Sequence, residues 1–160
     1  MDLLDRLLGH DQWTTRQLLD HCRSLTEAQW QQPFDLGHTT LYQTFHHIIG
    51  NVEVWTDLMR ARPIYARDKT SSLEILRARH AAASADFGDL ARSVRDAGRW
   101  DELWLDVADN PPRHKTYGGA IAHVLTHNHI HRGEIMHMLN HLGVPDVIEG
   151  DVLSWESQAQ

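Results

Sequence analysis

Residues 123–141 read HVLTHNHIHRGEIMHMLNH, and their spacing decides both the fold class and the chemistry to look for. Six of the chain's 13 histidines fall in this one stretch, among residues that recur at helical rather than strand period. On a helix His127 and His131 point the same way, close enough for two imidazoles to share one metal ion. Their stripe runs Val124, His127, His131, Glu134 and Met138, so the pair sits among apolar neighbours and one carboxylate. His129 falls nearly opposite and is expected in solvent. His123, one turn before His127, drifts too far round the helix to be a third ligand. It is placed instead to partner the outer N–H of a metal-bound imidazole.

Upstream of this helix, three further segments carry the same period. In the first, Leu4, Leu8, Asp11, Thr15, Leu18, Cys22 and Leu25 form one inward stripe whose middle positions are polar. Thr26 and Gln29 have capping-box spacing for a short helical turn through Trp30, after which Pro33 and Gly37 break the chain. The second helix is predicted from Thr39 or Thr40 to about Arg60, burying Leu41, Phe45, Ile48, Val52, Trp55 and Met59. The third is predicted to start at Ser71 and to end before Gly98, with the seam Leu76, His80, Ala83, Phe87, Leu90, Val94 and Ala97. Between Arg99 and Gly119 the pattern fails, and WDELWLDVADNPPRHKTYGG reads as a long connection with room for a short hairpin. The fourth helix is predicted over Ala120–Leu142, stopped by Gly143 and Pro145, with one more turn in the tail packing Val152 and Trp155. These features predict an all-α fold, a four-helix bundle with a long connection between helices three and four, in one domain spanning residues 1–160.

Composition narrows the function classes. A formal net charge of -7 with neutral histidines disfavours phosphate backbones, so nucleic acid is not an expected partner. No apolar run approaches the roughly 18 residues of a membrane span, and mean hydropathy is -0.47. The N-terminal MDLLDRLLGHDQW intersperses charges with leucines, unlike an export signal, and the single Cys22 cannot form an internal disulfide. A cytoplasmic protein without membrane or nucleic-acid partners is expected, with Cys22 a small packing residue.

A metal site needs a third protein ligand from another helix. His46 and His47 in the second helix are the candidates, and spacing alone does not choose between them. The remaining histidines, His10, His21, His38, His80, His114, His137 and His141, are read as surface or packing residues. A zincin protease would need a glutamate directly after the first helical histidine, where Asn128 stands. A di-iron centre of the ferritin type would need two Glu-x-x-His motifs, and Glu134 to His137 is the only one. A mononuclear site fits better.

The stretch HVLTHNHIHRGEIMHML closely resembles the signature helix of the DinB/YfiT-like superfamily of metal-dependent enzymes, a His-x-x-x-His pair followed by Arg-Gly and Gln or Glu, here His127, His131, Arg132, Gly133 and Glu134. HIIGNVEVW, from His47 to Trp55, resembles the family's second landmark, and it is this resemblance that selects His47 over His46. HDQWTTRQLLDHC, LGHTTLYQTF and the closing DVLSWE are similar to the family's first helix, its entry into helix two and its tail; Glu134, where glutamine is commoner, and His129 are departures. The resemblance implies an up-down-down-up bundle, often a homodimer, with one divalent metal on His47, His127 and His131. Zinc or nickel is favoured over manganese or iron. It implies open coordination positions for water or a small-molecule substrate, and in some relatives a low-molecular-weight thiol as co-substrate of a transferase; others are isomerases or hydrolases. Glu134 is then the candidate for acid–base work or for supporting a ligand, and Arg132, rotated away, for a structural ion pair. The competing reading is a non-enzymatic metal-binding stress-response protein.

Overall fold

The computed structural model describes residues 1–65 and 72–158, and it is mostly helical. Its elements are α1 (Leu3–His21), a 3-10 turn (Cys22–Ser24), α2 (Glu27–Trp30), α3 (Leu41–Met59), α4 (Leu73–Asp96), β1 (Leu103–Asp106), β2 (Arg113–Thr116), α5 (Tyr117–His141) and α6 (Val152–Gln158). The all-α expectation needs one correction, because the long connection folds as an antiparallel β1–β2 hairpin that pairs Leu103 with Thr116 and Asp106 with Arg113. The hairpin is held by its own chemistry. Lys115 pairs with Asp106 and lies 4.7 Å over the Trp55 ring, while Trp104 is buried edge-on against Trp55.

Side-chain oxygens set the helix starts. Thr40 Oγ1 accepts from the Gln43 amide and Thr26 with Gln29 closes a full capping box, both at the predicted places. Ser72, not Ser71, caps α4, and Ser71 itself lies outside the described residues. α5 begins three residues earlier than the predicted Ala120, because Thr116 Oγ1 accepts from the Gly119 amide and draws the glycine pair into the first turn. Gly118 suits that position, since a Cβ there would press on the Trp100 carbonyl at 3.0 Å.

Among the long helices, α1 packs against α4 and α5 and α3 packs against α4 and α5, while α4 and α5 touch more lightly. Their apolar faces form two clusters. One gathers Leu8, Val52, Met59, Phe87, Val94 and Val124, and the other Leu18, Leu41, Phe45, Leu76, Ile135 and Met138. α1 and α5 run from the first cluster to the second, and α3 and α4 run the other way. Buried polar residues lie between the clusters along the chain: Asp11, Thr14 and Thr15 on α1, His80 on α4, and Asn128 and Arg132 on α5. The α5 stripe therefore differs from the predicted one. Val124 and Met138 are buried, but the rest of the core face is Asn128, Arg132 and Ile135, with His127, His131 and Glu134 half-buried on its flank. Arg132 can occupy the core because Asp11 and Thr15, the polar middle of the α1 stripe, accept from its Nη1.

At the tail, Trp155 is buried against α1, where a Cβ on Gly9 would collide with its ring. His10 Nε2 meets the Gly150 carbonyl at 2.8 Å and ties α1 to the segment leading into α6. No helix among the described residues is long and apolar enough to cross a membrane.

Candidate metal centre

α3 and α5 carry the histidines to one place. His47 Nε2 lies 2.8 Å from His127 Nε2, the His127 and His131 rings are 4.5 Å apart between centroids, and His47 and His131 are 4.7 Å apart. The i, i+4 spacing of His127 and His131 stacks them on one side of α5, and the α3–α5 packing delivers His47 opposite them. His46, one residue earlier and so about 100° round the helix, turns toward Tyr42 and Arg79. His129 is exposed on the other side of α5.

Glu134 orients the His131 ring. The ring Nδ1 lies 2.7 Å from Glu134 Oε2, and since an ionised carboxylate only accepts, Nδ1 is the donor and Nε2 is the nitrogen left for a metal. Glu134 in turn packs against Gly37, where a Cβ would collide with the carboxylate and where φ is +46°. His123 touches the cluster through its ring. It stacks on His127 at 5.2 Å and lies 4.8 Å from Trp55, so its link to the site is packing.

A fourth histidine joins the group. His38, on the turn before α3, stacks on His47 with centroids 3.8 Å apart and lies 5.1 Å from His131. One ring nitrogen from each of His38, His47 and His131 falls within 4.8 Å of the others. Sequence reasoning set His38 among the packing residues, because helical periodicity does not extend across a turn. The usable signal was its place between Gly37 and the capping Thr40, where a side chain leads directly into α3.

Burial favours neutral rings. It pushes His47 down to about 4, helped by the neighbouring His38, His131 and His127, and it also lowers His38 and His127. Neutral imidazoles present lone pairs, which is the form a metal binds. Two nitrogens sharing a tetrahedral ion at about 2.0–2.1 Å each lie about 3.3 Å apart, so the 2.8 Å His47–His127 contact needs to open by only about 0.5 Å. The three residues that each place a ring nitrogen within 4.8 Å of the others are His38, His47 and His131, with His127 reaching the group through His47, and such imidazole donors suit a single divalent ion of the borderline kind.

A family model described as the DinB family matches residues 1–157. The chain belongs to the DinB family. No curated protein matches it. Within this DinB protein the signature residues divide by task, with His47, His127 and His131 in the ring cluster and Arg132 turned inward to Asp11.

Proposed function

We propose that this chain is a metal-dependent enzyme, a thiol-dependent transferase or a hydrolase, with one divalent ion held by His47, His127 and His131. The observation that carries the reading is the convergence of three imidazoles from two helices, one of them oriented by a carboxylate. An ion bound there supplies Lewis acidity, lowering the pKa of a bound low-molecular-weight thiol or water toward neutrality. Imidazole donors suit zinc or nickel first, then iron or manganese. The frame is an up-down-down-up four-helix bundle, consistent with the opposite runs of α1 and α5 against α3 and α4. The protein acts in the cytoplasm on a small molecule, as a homodimer, with no part for nucleic acid or membrane.

The chain's residues divide the remaining work. Glu134 accepts from His131 Nδ1 through Oε2, while Oε1 has no hydrogen-bond partner among the described residues and is the atom available to accept a proton. His123 stacks on the His127 ring, and Trp55 packs against His123 in turn.

Protein purified without a histidine tag is expected to bind one equivalent of zinc or nickel by elemental analysis, and His47→Ala, His127→Ala and His131→Ala each to lose it. Retention of metal by all three variants, or no uptake by the parent, would overturn the reading. Glu134→Ala is expected to keep the site but weaken metal affinity roughly 10- to 100-fold, as loss of a ligand's hydrogen-bond partner commonly does. Competition with a chromophoric chelator measures this, and unchanged affinity would remove Glu134 from the site's support. The alternative, a metal-binding protein without chemistry, is favoured by one observation: His38 faces the same centre and could close it.

A further inference from the structure

His38 differs from the other three histidines in how it is held. It sits on the turn 34–39, closed by Phe34 N–H donating to the Thr39 carbonyl at 2.7 Å and Thr39 N–H donating to the Leu36 carbonyl at 2.8 Å. Both of its neighbours have positive φ, Gly37 at +46° and Thr39 at +69°. For threonine, a β-branched residue, that backbone is an outlier that persists only where its surroundings enforce it. What enforces it lies on both sides: Thr39 Oγ1 donates to Gln43 Oε1 at 2.6 Å, and Gly37 is packed on the Glu134 carboxylate. The result is an imidazole stacked on His47, half-exposed, with a nitrogen within ligand range of His47 and His131.

Resting on the metal reading above, we propose that His38 is a fourth metal ligand that caps the ion at rest and is displaced by an incoming anionic ligand. Three ligands on helix backbones are fixed by packing, whereas the fourth sits on a turn outside the helices, with two positive-φ residues beside it. A four-histidine ion is saturated if tetrahedral, so chemistry on a substrate requires one ligand to leave. His38 is the one whose departure disturbs no helix. The turn also touches Glu134, so movement of His38 alters the packing around the carboxylate that orients His131.

Metal-free protein loaded with one equivalent of Co2+ reads this directly, since the visible d–d bands report ligand number and type. The wild-type protein is expected to show a tetrahedral spectrum that changes in His38→Ala and in the size-preserving His38→Gln, while both variants still bind one Co2+. Azide, titrated as the anionic probe, is expected to bind both variants at least about 10-fold more tightly, because a cap that is open less than a tenth of the time weakens apparent affinity by that factor. At saturating azide the wild-type and variant spectra should converge. Spectra and azide affinity that are the same with and without His38 would overturn the inference and leave the three-histidine reading standing. A wild-type site that refuses azide even at saturation, while the variants accept it, would make His38 a fixed ligand and overturn displacement. Failure of the wild-type protein to take up Co2+ at all would overturn the metal reading itself.

Discussion

Asp11→Ala should destabilise the protein by about 3–5 kcal/mol, the range for breaking a buried ion pair from one side. Arg132 is 1% exposed and Asp11 5%. The guanidinium donates through Nη1 to Asp11 Oδ1, with the Asp11 carbonyl and Thr15 Oγ1 at 3.4 Å as weak further acceptors. Its Nε has no partner among the described residues. Removing the carboxylate leaves a full charge in the core that cannot be discharged, because arginine does not deprotonate in proteins. Arg132→Met should cost less, since a stranded Asp11 can neutralise itself by taking a proton. The double variant Asp11→Leu with Arg132→Met should recover most of the loss, as buried ion pairs often exchange for apolar groups near neutrality. Urea unfolding at pH 7 checks all three. With domain stabilities of about 5–15 kcal/mol, Asp11→Ala is expected to be partly unfolded at low denaturant. A loss under about 1 kcal/mol would show that the pair is dispensable to the core.

The same pair shows where reading from sequence stops. Stripes of leucine, isoleucine and phenylalanine place α1, α3 and α4 because burial of apolar side chains repeats at helical period, and Thr40, Thr26 and Gly143 mark ends because their chemistry is local. Arg132 could be recognised as an ion-pair residue, but its partner lies 121 residues away, and nothing local says that Asp11 is the one. The α5 stripe was misplaced for the same reason. A pattern that rewards apolar positions passes over Asn128 and Arg132, which are buried only because Asn51 and Asp11 meet them across the core. His127 and His131 could be paired by spacing, whereas choosing His47 took a family resemblance, and the distances show why spacing could not: the neighbour relation is between helices. His38 belongs to the last category, a residue positioned by a turn of unusual backbone that no periodicity predicts.

Acid should weaken the metal-free protein well above the carboxylate range, and His80 should account for a measurable share. His80 is 5% exposed in the α4 seam, with Nε2 lacking a partner among the described residues. Burial pushes it down to about 4; Asp11 opposes that shift, while Arg132, Arg16 and Arg77 reinforce it. The unfolded chain carries this histidine near its ordinary value of about 6.5. Between those two values the unfolded state binds a proton that the native state refuses, so stability falls as pH falls through this window and levels off below it. From pH 7 to pH 5 the single group is worth about 2 kcal/mol. His10, His38, His47 and His127 are also lowered and act in the same direction, so the whole protein should lose more than His80 alone explains. The variant His80→Leu isolates one proton, because it removes the imidazole while keeping a side chain between the buried Leu76 and Ala83 of α4. Unfolding by urea in the presence of chelator at pH 7 and pH 5 should show that variant losing about 2 kcal/mol less than the parent over the interval. Equal losses in parent and variant would mean that His80 takes up its proton in the folded state as readily as in the unfolded one, with water reaching Nε2 inside the core.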